Sequence, residues 1–168
     1  MTEFPILGTE PFAVELANTL YRDGTEVIDF LGGDWFAEIG HPAPAGDARD
    51  LRDRVHRLFD AAATGREPDQ ADVDELNRLA ATAPTVVRLD WRAGRRTARR
   101  LSQAEDASLG RIAAEAVELL GGSELRRCEG PGCAMLFVRG HARRRFCYPG
   151  CGQRGRQARY YRRKRGIR

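Results

Sequence analysis

The chain has 168 residues, enough for one domain with its own core and a smaller second segment. Its net charge of +4 combines two opposite parts. Residues 1–125 carry 14 Arg and no Lys against 23 acidic residues, a net charge of −9, whereas residues 126–168 have a net charge of +13. No apolar run approaches the roughly 18 residues of a membrane helix, so no membrane-spanning helix is expected. The basic tail instead favours binding to a polyanion.

The first half of the chain predicts short elements followed by two helices. Residues 10–20 have apolar side chains at both helical and alternating spacing, so helix and strand both stay open there. Residues 25–31 predict a short strand after a turn. Residues 47–63 predict a helix with Asp47 as its N-cap, and residues 70–83 predict a second helix that ends at a proline.

The next segment predicts a β-hairpin and a third long helix. Residues 85–91 alternate apolar and polar side chains, residues 92–96 contain a glycine turn, and residues 97–101 predict the return strand. The apolar face of the first strand consists of Val87, Leu89 and Trp91. Residues 102–120 predict a helix that starts with a Ser-x-x-Glu capping box. We expect the apolar faces of all these elements to pack into one core.

All four cysteines lie within 24 residues, with the spacing Cys-x4-Cys-x13-Cys-x3-Cys. They are Cys128, Cys133, Cys147 and Cys151. Two close pairs separated by a loop suit four thiolates on one tetrahedral zinc, a closed structural site. A redox dithiol is the less favoured interpretation because the usual Cys-x-x-Cys spacing is absent. Unconnected structural cysteines are a third interpretation, and His141 between the pairs is an alternative ligand.

The sequence from Met1 to Pro5 shows neither the basic region nor the apolar run of a secretory signal peptide. We therefore expect a cytoplasmic protein with reduced thiols, in which clustered cysteines favour a metal over disulfides.

The tail predicts a compact finger around the cysteines. Residues 128–133 form a tight turn rich in Gly and Pro, residues 135–138 fit a strand, and residues 142–146 fit a return strand. Residues 153–164 predict a helix with the last cysteine near its N-terminus, where the helix dipole stabilises a thiolate. This order resembles a treble clef.

We thus predict a mainly α protein with a small β element, of the α+β class. A helical N-terminal domain spans residues 1–122, and a treble-clef-like zinc finger spans residues 123–168.

The finger is dense in arginine, which neutralises phosphate and pairs with guanine, and tyrosines lie among the arginines. We expect double-stranded DNA to be bound by Arg143, Arg144, Arg145, Arg154, Arg156, Arg159, Tyr160, Arg162 and Arg163. Two alternatives stay open. Single-stranded RNA could stack on Tyr160 and Tyr161, or the zinc thiolates could sense oxidants while the basic helix binds an acidic protein.

Most of the chain resembles bacterial CGNR zinc-finger proteins with an N-terminal ABATE domain, described as stress-induced transcription regulators. The matching segments are residues 125–128, Cys133 with Leu136-Phe137, residues 144–147 and 151–154, and the Asn-Thr element within residues 15–20. The resemblance implies that the acidic front senses a stress signal or a small-molecule ligand, and it leaves a homodimer open.

Two segments depart from the family pattern. The Cys-Gly-Asn-Arg that names the finger is here Cys151-Gly152-Gln153-Arg154, and the loop over residues 134–146 is short. Gln153 keeps the amide of the family asparagine, so it joins the candidates for DNA contact.

The sequence shows no Ser/His/Asp pattern, no glycine-rich phosphate loop and no His-Glu-x-x-His motif, so no enzyme is expected. Asn18, Trp35 and Trp91 are the candidates for a ligand pocket in the front domain. Their commoner roles are turn capping for the asparagine and core packing for the tryptophans.

Overall fold

The structure is a computed structural model that describes residues 8–23, 26–31, 35–38, 48–102 and 108–165. The elements in chain order are α1 (Phe12–Asn18), β1 (Leu20–Asp23), β2 (Glu26–Asp29), α2 (Trp35–Glu38), α3 (Ala48–Thr64), α4 (Gln70–Ala80), β3 (Thr85–Arg92), β4 (Arg95–Ser102), α5 (Ser108–Gly122), β5 (Leu125–Arg127), β6 (Leu136–Val138) and α6 (Pro149–Lys164). Helices dominate and the strands form two-stranded antiparallel sheets, so the predicted α+β class is confirmed. No helix in these ranges is long and apolar enough to cross a membrane.

The core lies between α1, α3 and α5, with α2 against one end. α1 is a helix because apolar side chains are buried around most of its circumference, including Val14 and Leu16, which are fully buried. Trp35 of α2 stacks on Phe12 of α1 with 5.7 Å between the ring centroids. The stripe of α3, with Val55 at its centre, faces the same core. Core packing of Trp35 is therefore confirmed.

The three long helices agree with the predicted ranges except at their ends. Asp69 caps α4 by accepting a hydrogen bond from the backbone N–H of Ala71 at 2.9 Å. α5 packs closely on the end of α4, where a Cβ on Gly110 would lie only 2.4 Å from Oγ1 of Thr82. The predicted cap Asp47 and most of the predicted Ser-x-x-Glu box, including Glu105, lie outside the described residues.

The predicted hairpin over residues 85–101 is present, but its expected packing is wrong. β3 and β4 pair along their whole length around a turn at Ala93 and Gly94, both at positive φ. Val87, Leu89 and Trp91 are 68%, 59% and 62% exposed. The apolar row is exposed because no described element covers this face of the ribbon.

The finger differs from the sequence prediction in its second strand. β6 pairs with β5, in the register Leu125↔Val138, so the hairpin encloses the first two cysteines. Residues 142–146 form turns and irregular backbone, which makes the predicted return strand wrong. The segment is held instead by a bond from the backbone N–H of Glu129 to the carbonyl of Arg145, at 3.0 Å.

The finger shares its core with the front of the chain. Leu125 of β5 and Leu136 of β6 are buried in the same cluster as the side chains of α1, α3 and α5. A second, smaller cluster around the cysteines includes Phe137 and Met135. The boundary between residues 122 and 123 stays a prediction, and apolar packing crosses it.

Candidate zinc centre and nucleic-acid interface

The four predicted ligands meet at one point. Cys128 follows β5, Cys133 closes the turn, Cys147 precedes α6 and Cys151 lies in the first turn of α6. Their sulfur atoms all lie within 4.8 Å of one another. The Cys133–Cys147 and Cys147–Cys151 sulfur distances are both 3.7 Å. A tetrahedral zinc with Zn–S bonds of about 2.3 Å spaces its ligands by about 3.8 Å, so the cluster fits one zinc ion.

The turn between the first two cysteines requires glycine at two positions. Gly132 has a φ of 73°, in the left-handed region that glycine adopts without strain. Gly130 lies against the metal ligands, where a Cβ would be 2.9 Å from the Cβ of Cys151 and 3.4 Å from the sulfur of Cys128. The absence of a side chain at Gly130 therefore lets the turn and the start of α6 approach each other.

Hydrogen bonds prepare this cluster for a cation. The pKa of Cys128 is lowered to about 2, first by the thiol of Cys133, then by that of Cys147 and by the backbone N–H groups of Cys147 and Gly130. The same hydrogen bond to Cys128 raises the pKa of Cys133 to about 12, and the pKa of Cys147 is also raised. The negative charge on one sulfur thus disfavours ionisation of the neighbouring thiols. A divalent cation that displaces their protons would remove this repulsion between the thiolates.

The donor set favours zinc. Four sulfurs, three of them in buried residues, suit borderline-soft zinc in a closed structural site. Zinc would be held by these four side chains alone, because no histidine belongs to the cluster in the described part of the chain. His141 is therefore not a member of the ligand set.

The side chains of Asn18, Glu10 and Asp60 hold the finger against the front domain through polar contacts. The amide of Asn18 bonds both backbone groups of Leu136, as donor and as acceptor, at 2.9 Å each. Glu10 accepts the backbone N–H of Val138 at 2.9 Å. Asp60 of α3, which is buried, pairs with Arg127 of β5. These partners lie far apart along the chain, and no local pattern in the sequence could have identified them.

Arg144 has its contacts inside the protein. Its guanidinium pairs with Glu10, donates to the carbonyls of Val138 at 3.0 Å and Cys147 at 3.1 Å, and lies 4.7 Å from the centroid of the Phe137 ring. These bonds use the guanidinium N–H groups through which an arginine would contact a DNA phosphate or base. The predicted DNA contact by Arg144 is untested, and the geometry favours a structural role.

Arg143 and Arg145, the sequence neighbours of Arg144, have different surroundings from it. Arg145 is exposed and pairs with Glu129 across the finger. Arg143 is exposed and makes no ion pair within the described ranges. Of the three, Arg143 thus offers its charge most directly to a partner.

α6 has a short buried part and a long exposed part. Cys151, Gly152 and Gly155 are buried, and the ring of Phe146 covers the two glycines. Arg154 donates to the sulfur of Cys151 at 3.0 Å, so its positive charge lies beside one of the four predicted ligands. From Gln153 onward, the exposed residues are Gln153, Arg154, Arg156, Gln157, Arg159, Tyr160, Tyr161, Arg162, Arg163, Lys164 and Arg165. The predicted helix is confirmed, with the last cysteine near its N-terminus, but it begins at Pro149 and not at Gln153.

The three candidates for a ligand pocket lie in different surroundings. Asn18 and Trp35 are buried, and their contacts are with Leu136 and with core aromatics. Trp91 lies near the tip of the exposed ribbon, under the guanidinium of Arg96 at 5.3 Å. Turn capping by Asn18 and core packing of Trp91 are therefore wrong. A ligand pocket shared by these residues receives no support.

A closed four-sulfur site in a hairpin-and-helix finger, docked on a helical domain, defines a zinc-finger protein. Residues 10–123 match the model of the ABATE family, described as "Putative stress-induced transcription regulator", and residues 124–164 match the model of the CGNR zinc finger. The chain belongs to the ABATE family and ends in a CGNR zinc finger, as its resemblance implied. Comparisons with curated proteins and with solved structures gave no match.

Proposed function

We propose that this protein is a cytoplasmic transcription regulator that binds double-stranded DNA through its zinc finger and responds to stress or a small ligand through its front domain. The observation that carries the proposal is the exposed end of α6. From Arg159 to Arg165 every residue is exposed, and all but two are basic. The zinc ion would hold the start of this helix against the finger, so the charge is presented on a fixed element.

The zinc has a structural role in this proposal. Its four ligands leave no coordination position for a substrate, and we propose no catalytic activity. Phosphate contacts by the exposed arginines supply most of the affinity, because each contact releases counterions from the duplex. Arg143, Arg156, Arg159 and Arg163 are the proposed contacts, together with the amide of Gln153.

Salt dependence tests this function. DNA affinity of the zinc-loaded protein is measured by fluorescence anisotropy over a range of salt concentrations. The double variant R159A/R163A should bind more weakly and reduce the slope of log affinity against log salt by about two. The control R78A removes an exposed arginine of α4 that pairs with Glu75. Equal slopes for all three proteins, or no DNA binding by the native chain, would overturn the proposal.

Single-stranded RNA is a second candidate partner because two adjacent aromatic rings are exposed. Tyr160 and Tyr161 are 61% and 58% exposed, with their ring centroids 5.6 Å apart. Exposed aromatic rings stack on unpaired bases. Competition between duplex DNA and single-stranded RNA separates the candidates. RNA that displaces the duplex, with loss of RNA binding in Y160A/Y161A, would favour the second.

A further inference from the structure

The ribbon of β3 and β4 exposes both of its faces and one well-formed edge. A two-stranded hairpin alone is marginally stable in water, and exposed apolar rows mark interaction sites. The row Val87, Leu89 and Trp91 runs along β3. No described strand pairs with β3 on the side away from β4.

The turn determines which backbone groups of β3 face this open edge. Ala93 and Gly94 form a two-residue turn with positive φ, a type I′ geometry that is closed by hydrogen bonds between Arg92 and Arg95. Hydrogen-bonded and non-hydrogen-bonded pairs then alternate along the ladder. The N–H and C=O groups that point outward therefore belong to every second residue of β3: Thr85, Val87, Leu89 and Trp91.

We propose that β3 pairs antiparallel with β3 of a second copy, about a two-fold axis through Leu89. In this register Val87 lies opposite Trp91 of the second copy, and Leu89 lies opposite its own counterpart. All of these residues point their backbone groups outward, so the ladder is complete. The two apolar rows become one continuous row, with aromatic and β-branched side chains in cross-strand pairs.

Charge selects this register over its neighbours. It places Arg88 opposite Asp90 of the second copy, in non-hydrogen-bonded pairs where side chains approach most closely. Arg88 is exposed and makes no ion pair within the described ranges, and Asp90 has only loose contacts, at 3.7 Å to Arg99 and 4.0 Å to Arg92. An axis through Arg88 would place two arginines opposite each other, and an axis through Asp90 two aspartates. Both arrangements are repulsive.

The same reasoning excludes the other edge and favours a protein partner. β4 carries four arginines and no acid, so two copies of β4 would repel each other. β3 has two arginines, one aspartate and four apolar residues, a composition that suits a protein edge better than phosphate. The proposal concerns a surface outside the finger and is independent of DNA binding.

Charge variants test the proposal by analytical ultracentrifugation of the zinc-loaded full chain over a range of concentrations. The native protein should form a dimer. R88D and D90R each place two like-charge pairs across the axis, so each should raise the dissociation constant about tenfold or more. The swap R88D/D90R restores opposite charges in both pairs and should restore the dimer. R95D is the matched control, because it changes an exposed arginine on β4 and should leave the dimer unchanged.

A proline variant supplies a second measurement. Leu89→Pro removes an outward N–H and blocks the edge, but it spares the hydrogen bonds between β3 and β4. It should give a monomer with unchanged zinc content. A monomeric native protein would overturn the proposal, as would a dimer that persists in L89P. Dimerisation by both single charge variants, or failure of the swap to restore the dimer, would overturn the register.

Discussion

The amide of Asn18 bonds the backbone of Leu136 across 118 residues of sequence, with Nδ2 donating to the carbonyl and Oδ1 accepting the N–H, both at 2.9 Å. Both residues are buried, so no water replaces these bonds when the side chain is lost. The asparagine thus completes the outer edge of β6, the strand that leads away from the cysteine turn. It links the stability of the finger to that of the front domain.

Replacement of Asn18 by alanine should lower the free energy of unfolding. It leaves a buried N–H and a buried C=O of Leu136 unpaired, at a cost of about 1–3 kcal/mol each. Urea unfolding of the zinc-loaded protein measures the change. The control N77A alters an exposed asparagine of α4 and should stay within about 0.5 kcal/mol of the native protein. Equal losses in both variants would contradict the role of Asn18.

Replacement of Gly130 by alanine should weaken zinc binding. The added Cβ would lie only 2.9 Å from the Cβ of Cys151. The turn must therefore move away from α6, and this shifts the ligands Cys128 and Cys133 that flank it. Competition with a chelator should show a loss of affinity of about tenfold or more. Gly140 has no atom within 4 Å of an added Cβ, so G140A is the matched control. Native affinity in G130A would show that the turn tolerates the shift.

Substitutions at Arg143 and Arg144 should have different effects: the first on DNA binding and the second on stability. R144M removes the guanidinium that pairs with Glu10, whose side chain is only 6% exposed, and should cost at least about 2 kcal/mol of unfolding free energy. R143M removes the same charge from an exposed position and should leave stability almost unchanged. Urea unfolding measures both.

The two variants should rank in the opposite order in DNA binding, with R143M affected more than R144M. R143M should weaken affinity and reduce the salt slope by about one, whereas R144M, measured where it is folded and zinc-loaded, should keep the native slope. A smaller slope of log affinity against log salt in R144M would show that Arg144 contacts DNA.

Acid should destabilise the protein partly through His56. Burial lowers the pKa of this histidine below its usual value of 6.5, and the charged groups around it are Asp60, Arg127, Asp53 and Arg52. The unfolded chain therefore binds more protons than the folded one as the pH falls below about 6.5. The free energy of unfolding is therefore unaffected by this histidine above that pH, and it falls on acidification.

A histidine variant isolates this contribution from that of the zinc ligands. Unfolding free energies of native and H56Q proteins are compared between about pH 8 and pH 5.5, since zinc effects cancel in the difference. The native protein should lose more stability on acidification than H56Q. H141Q, at an exposed position, should follow the native curve. Parallel curves for H56Q and the native protein would contradict the expected titration.

The sequence by itself determined the three long helices, the hairpin of β3 and β4, and the metal site. Helical apolar stripes predict α3, α4 and α5 because their periodicity is local, and the cysteine spacing predicts the zinc ligands because a tetrahedral site needs two close pairs. Gly, Pro and polar residues then mark most of the turns. The charge division between the front and the tail is also read directly from composition.

Only the tertiary structure decided how these parts meet. The pairing of β5 with β6, the Asn18–Leu136 bridge and the use of Arg144 inside the finger join residues that are distant in the chain, for which local patterns carry no information. Alternation in β3 predicts an apolar face, but whether that face is covered depends on what packs against it. Here it is exposed, because burial is a property of the assembled elements and not of the strand alone.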